Sequence, residues 1–184
     1  MVSNITNLSE ARYCAGMGVQ FLAYPAHLVN PKMYQDITSW LQGPEMVLDV
    51  SNIAEVSTLL NEYRSGYILL SADQFQRISD TLEVPAMVKI DSGSIRLANE
   101  LSKQTRLIRY IVTEGLSEEE TKYLKSIGFS LLHTITDNNG QSIEELLKWP
   151  IDGIVLIGNP ELKPGLMDYS HLSEMLENLE MMEE

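Results

Sequence analysis

The segment "YILLSADQ", Tyr67 to Gln74, carries two signals back to back. Its first four residues are apolar without a break, which suits a parallel strand covered on both faces better than an antiparallel strand with one wet face. Ser71 then stands three residues ahead of Gln74, the spacing of a capping box, in which serine accepts from the N–H at the third helical position and glutamine reaches back. A strand that hands over directly to a helix is the first half of a βα repeat.

The same handover recurs along the chain, with apolar runs about 20 residues apart. Val2 to Thr6 leads into Asn7, three residues before Glu10. Phe21 to Tyr24 is followed by a loop and Asn30-Pro31, with proline at the first helical position, where its missing N–H costs nothing. Met46 to Val50 precedes Asn52 and Glu55. Beyond "YILL" come Ala86 to Ile90 before "DSGS", Leu107 to Thr113 before Ser117 and Glu120, Phe129 to Ile135 before Ser142 and Glu145, and Ile151 to Ile157 before "GNPELKPG". Between the runs lie segments of helical spacing such as "SIRLANELSKQ" and "SIEELLKW".

Eight strands alternating with helices imply right-handed βα crossovers. The simplest closure is an α/β fold of the (β/α)8 type, a compact TIM barrel spanning residues 1–184 as a single domain, although 184 residues is short beside the usual ~250. A doubly wound open sheet is the alternative, and neither a G-x-G-x-x-G nor a P-loop supports it. Barrel sites are built from strand C-terminal ends and the loops beyond them, so short units predict a small site.

The formal charge of -13 argues against nucleic acid and against an anionic membrane surface as partners, because no basic patch stands apart from the acidic background. Much of the excess lies in the tail "EMLENLEMMEE", which reads as a solvated helix end. Cys14 is the single cysteine; an intrachain disulfide is impossible, and a reducing cytoplasmic location is expected. Its neighbours Ala11, Ala15 and Gly18 mark it as a small buried helix residue. No apolar segment reaches the ~20 residues of a membrane span, and the first residues lack a signal-peptide pattern, so a soluble, unprocessed protein is expected.

"ITNLSEA", Ile5 to Ala11, followed by Gly18, resembles the opening of phosphoribosylanthranilate isomerase, the tryptophan-biosynthesis barrel whose first strand typically reads K-I-C-G-I-T. "PELKPGLMD", Pro160 to Asp168, resembles the segment after that family's eighth strand. The resemblance implies a TIM barrel, an Amadori-type aldose–ketose isomerisation of a phosphorylated aminosugar, a cysteine base ending strand one and an aspartate acid ending strand six. Laid over this chain, K-I-C-G-I-T becomes Met1-Val2-Ser3-Asn4-Ile5-Thr6, so Ser3 takes the place of the base. Thr113 takes the place of the acid, with Glu114 beside it but one residue along the strand and hence on the opposite face. A serine hydroxyl is a far weaker base than a thiolate unless histidine or lysine activates it.

The family's glycine-rich phosphate cradles are likewise replaced. Strand seven ends His133-Thr134-Ile135, and only Gly158 and Asn159 after strand eight remain as an anion nest. His27 stands nearest the position of a substrate-contacting arginine in the family. The frame is kept and the residues that touch substrate are changed, as in a divergent relative or pseudoenzyme.

The odd-numbered strands each carry a polar residue: Asn4, Asp49, Lys89 and His133. Alternate strands of a barrel supply one layer of side chains, so the four are expected to share a layer, with Asp49 and Lys89 as an ion pair. That layer reads either as a structural polar plug or as a ligand-binding or acid/base cluster. His27, His133 and His171 show no zinc spacing, and no cofactor motif is present, so no metal and no cofactor are expected. G-x-S-x-G is absent too. Tyr24, Tyr67, Trp40 and Trp149 read as packing residues.

Two functions follow from these residues. The first is a small-metabolite-binding or structural relative of the isomerase, holding an anionic or phosphorylated metabolite near Lys89 and Gly158. The second is a divergent sugar-phosphate isomerase that uses Glu114, Asp91 or Lys89 in place of the missing pair. A homodimer is compatible with both, with "NPKMYQDITSW" and the tail as segments a second copy could cover.

Overall fold

A computed structural model of the chain describes residues 1–56, 59–104, 106–136, 143–158 and 170–183. Eight parallel strands, β1 (Val2–Ser3), β2 (Phe21–Pro25), β3 (Glu45–Asp49), β4 (Tyr67–Ser71), β5 (Ala86–Ile90), β6 (Ile108–Glu114), β7 (Leu131–Thr134) and β8 (Gly153–Ile157), pair in sequence order. The ring closes where β1 meets β8, through Val2 with Leu156 and Ser3 with Ile157. That closure excludes the open-sheet alternative, and the fold is a TIM barrel.

The helix starts follow from the caps. Asn7 accepts from the Glu10 N–H at 2.9 Å to start α1 (Leu8–Gly16), and Asn30 accepts from the Met33 N–H at 3.0 Å to start α2 (Pro31–Thr38). Complete capping boxes open α3 (Ala72–Ile78) at Ser71 and Gln74, and, beyond the single turn α4 (Ala98–Leu101), α5 (Glu118–Ser126) at Ser117 and Glu120. The short α6 (Ile143–Leu146) and the C-terminal α7 (Ser170–Glu183) complete the set. The cap expected at Ser142 lies outside the described residues. Helices α1 and α5 both end on glycines in the left-handed region, Gly18 at φ 72° and Gly128 at φ 97°. A Cβ-free residue is favoured there, and the turn delivers the chain to the next strand.

One helix expected from the sequence does not form. Asn52 and Glu55 are not a helix start, because the Asp49 carboxylate takes both the N–H and the hydroxyl of Ser51, at 2.9 and 2.6 Å, and turns the chain as soon as β3 ends. The Gln74 amide then donates to the carbonyls of Val50 and Ile53, at 2.9 and 2.6 Å, which satisfies backbone that a helix would have paired internally. A single 3₁₀ turn over Leu60–Glu62 follows before β4.

Because every strand is covered on both faces, there are two cores. The outer one lies between sheet and helices and includes Leu22, Tyr24, Leu48, Ile68, Phe75 and Ile111. Cys14 sits in it, fully buried, with burial pushing its thiol pKa up to about 12, as suits an inert packing residue. The inner one fills the barrel with Ala23, Val47, Leu69, Met87, Val112, Leu132 and Val155, and Phe21 closes its floor by edge-to-face contacts with Tyr67 and Tyr110 at 5.4 and 5.5 Å. Trp40, expected as a packing residue, is instead 67% exposed just beyond α2. Among the described residues no helix is long and apolar enough to cross a membrane.

Candidate functional site

Above the inner core the inward-facing side chains turn polar. Ser3 and Asn4 from the end of β1, Asp49 from β3, Lys89 from β5, Glu114 from β6 and Thr134 from β7 surround a cavity of about 170 Å³, with His27 and Asn52 on the loops above and Ile157 at its edge. Leu69, Val112 and Val155 form its bottom. This is the C-terminal end of the strands, where barrel chemistry is located.

An ion pair here joins Lys89 Nζ to Asp49 Oδ2 at 3.1 Å. Asp49 is 8% exposed and is held on its other oxygen by Ser51, so its position is set by three donors. The Lys89 side chain is 33% exposed, and an ammonium has three N–H donors. Among the described residues its one hydrogen bond goes to Asp49.

Asn4 lies in the same cavity and has φ 63°, the one described non-glycine residue in the left-handed region. Asparagine is among the few residues that tolerate that conformation. Asn4 also ends β1 after two residues, not the five expected from the sequence. Its Nδ2 donates to the Gly158 carbonyl at 3.2 Å, and the Gly158 N–H donates to the Ser3 carbonyl at 2.8 Å. A Cβ at Gly158 would stand 2.5 Å from Glu10 Oε1 and 3.0 Å from the Ser3 carbonyl, so glycine is required by close packing. With its N–H engaged inside the protein, Gly158 does not offer that donor to an anion. Asn159 and the segment "PELKPGLMD" lie outside the described residues.

Gly158 does not line the cavity, and three further expected site residues are not brought to it. Thr113 is fully buried on the outer face of β6, where its Oγ1 meets His133 Nδ1 at 2.8 Å. His133 therefore does not join the layer of Asn4, Asp49 and Lys89. It packs against Trp149 with ring centroids 5.2 Å apart, and burial holds its pKa below the usual histidine value. Asp91 is exposed and absorbed by its own turn, accepting from the Ser94 hydroxyl at 2.6 Å and the Ser94 N–H at 2.8 Å, which hold its carboxyl below the usual range. The reason for the first two is register. Val112 pairs with Leu132, and both face inward, so Glu114 and Thr134, two residues on, face inward as well while Thr113 and His133 face out.

Glu114, set on the opposite face from Thr113, is thus the strand-six residue at the mouth. Thr134 and Asn52 are mouth residues that the sequence did not single out as such. The inward register of β7, counted from Leu132, is the signal that would have located Thr134.

Ser3 keeps its place at the cavity, yet its hydroxyl donates to the Leu156 carbonyl at 3.2 Å. Neither Lys89, held by Asp49, nor His133, on the far face, activates it. Among the described residues no group of three or more histidine, cysteine or carboxylate side chains is placed to hold a metal ion.

No family model matches the chain, and no curated protein matches it by sequence. Solved structures do match in fold. A phosphoribosylanthranilate isomerase in complex with reduced 1-(o-carboxyphenylamino)-1-deoxyribulose 5-phosphate superposes with TM-score 0.74 at 13% identity, covering 96% of this chain and 95% of that one. The phosphoribosylanthranilate isomerase of Thermus thermophilus gives TM-score 0.73 at 16% identity, with 98% of each chain covered. Orotidine 5'-monophosphate decarboxylase of Methanocaldococcus jannaschii gives 0.60 at 15% identity over 86% of this chain and 87% of that one. At such identities the likeness is one of fold, shared by enzymes of different chemistry.

Proposed function

We propose that this isomerase-like barrel binds a small metabolite at its mouth, through an anionic group of that metabolite at Lys89, and does not catalyse the aldose–ketose isomerisation. The observation that carries the reading is the state of the two positions matched to the family's acid/base pair. Both are hydroxyls; Ser3 donates to a backbone carbonyl, and Thr113 is turned out of the cavity onto His133. Neither is placed to take a proton from a substrate carbon.

The mouth nonetheless retains an anchored cation and several polar groups around one cavity, as a binding site requires. Calorimetry with reduced 1-(o-carboxyphenylamino)-1-deoxyribulose 5-phosphate, paired with growth of a tryptophan auxotroph lacking the isomerase, tests the reading. It predicts no growth and no tight binding of the analogue; growth overturns it.

One observation favours a second reading. Glu114 reaches the mouth from the last position of β6, the strand on which the family carries its acid. A divergent isomerase would use it as the proton donor, and growth of the auxotroph would then be abolished by Glu114→Gln.

A further inference from the structure

The mouth presents a second charged group that the ion pair does not use. Glu114 is exposed and lines the same cavity as Lys89, and among the described residues its carboxylate forms no ion pair or hydrogen bond. Lys89 pairs across the sheet with Val112, and Glu114 is the next inward residue above Val112, about 7 Å farther along the strand. The two side chains stand on adjacent strands at neighbouring heights without meeting as an ion pair, and both line the one cavity.

Resting on the reading that the mouth binds a metabolite, we propose that its ligand is a small zwitterion of the α-amino-acid class, with its carboxylate on Lys89 and its ammonium on Glu114.

Charge and size both favour that class over a phosphorylated sugar. Of the carboxylate and ammonium side chains that line the cavity, two are negative, Asp49 and Glu114, and one is positive, Lys89. A phosphate dianion would meet Glu114 as a like charge, whereas a zwitterion finds opposite charges at both ends. The cavity of about 170 Å³ is also well below the ~300 Å³ at which pockets for drug-sized ligands begin. The amides of Asn4 and Asn52 and the hydroxyl of Thr134 add neutral donors and acceptors, which suit the polar flank of a small side chain.

The test is titration calorimetry of the purified chain with each of the twenty common L-amino acids, with propionate and methylammonium as half-ligands, and with inorganic phosphate and ribose 5-phosphate. The proposal expects at least one amino acid to bind more tightly than either half-ligand. Both Glu114→Gln and Lys89→Met should weaken it about ten- to a hundredfold, the loss of one hydrogen bond to a charged group. An unchanged melting temperature for Glu114→Gln shows that the fold is intact. If ribose 5-phosphate or phosphate binds instead, weakened by Lys89→Met but not by Glu114→Gln, the zwitterion assignment is overturned while the binding function stands. If no probe binds, or binding ignores both variants, both fall.

Discussion

The two ends of the barrel interior are built from opposite materials. At the floor, Phe21, Tyr67 and Tyr110 close the ring with edge-to-face aromatic contacts, and every inward neighbour just above them is apolar. At the mouth, a few residues farther along the same strands, the inward positions are Asp49, Lys89, Glu114 and Thr134. The floor can be rebuilt from any shapes that fill it, and its residues serve stability. The mouth places two carboxylates and an ammonium around a small cavity, an arrangement that hydrophobic burial alone would not select.

The largest loss of stability is expected at the floor. Phe21→Ala removes the ring that both tyrosines pack against and should cost about 3–5 kcal/mol in denaturant unfolding, with ligand affinity of the folded fraction unchanged. A loss below about 1 kcal/mol would mean that the floor is not the packed plug described here.

Next comes the pair at the mouth. Lys89→Met leaves Asp49 buried with Ser51 as its remaining partner and should cost about 1–3 kcal/mol, discounted from a fully buried pair because Lys89 is one-third exposed. Adding Asp49→Asn should recover part of that loss, since the orphaned charge is then gone. Additive losses in the double variant would show that the two residues do not interact.

A smaller effect separates the inward face from the outward one. His133 is buried with its pKa lowered, so the unfolded chain binds more protons than the folded one as pH falls through the ordinary histidine range near 6.5. Stability should therefore be lost as pH falls below about 6.5, and His133→Gln should flatten that part of the melting-temperature profile. Asp91 and Glu120, held below the carboxylate range by Ser94 and Ser117, contribute their own loss at lower pH. A wild-type profile with no slope in the histidine window would contradict the buried, neutral imidazole.

The smallest effect on stability is expected at Glu114. Because it is exposed and unpaired, Glu114→Gln should change unfolding free energy by less than about 0.5 kcal/mol, while it weakens ligand binding at the mouth as much as Lys89→Met does. Reversed magnitudes, a stability loss with no change in binding, would move Glu114 from the site to the scaffold.

The repeat was legible in the sequence because four of the βα units announce themselves twice. Apolar runs such as "YILL" mark the strand, and Asn7, Asn30, Ser71 and Ser117 mark the helix that follows. The failure after β3 has a local cause. The sequence pattern at Asn52 and Glu55 is compatible with a cap, but Asp49, at the end of the strand, captures Ser51 before a helix can start.

The face of each strand was harder to read, for a reason inherent in parallel barrels. Both faces are covered, so "IRYIVTE" shows Ile111 and Val112 side by side without the polar alternation that would reveal which points inward. The resemblance points Thr113 to the mouth and the polar residue of an odd-numbered strand points His133 there, and the register puts both outside. Asp49 and Lys89 share an odd parity that happens to be the inward one on their strands; on β6 and β7 the inward parity is even. Parity therefore does not carry from strand to strand, and only the strand pairing assigns it.

A turnover assay separates a mouth that only binds from one that also isomerises. Purified protein incubated with phosphoribosylanthranilate, with the aminoketose product quantified by chromatography, should give a progress curve indistinguishable from buffer. Product that appears in proportion to the protein added and disappears with Glu114→Gln would contradict the account and assign the proton transfer to that carboxylate.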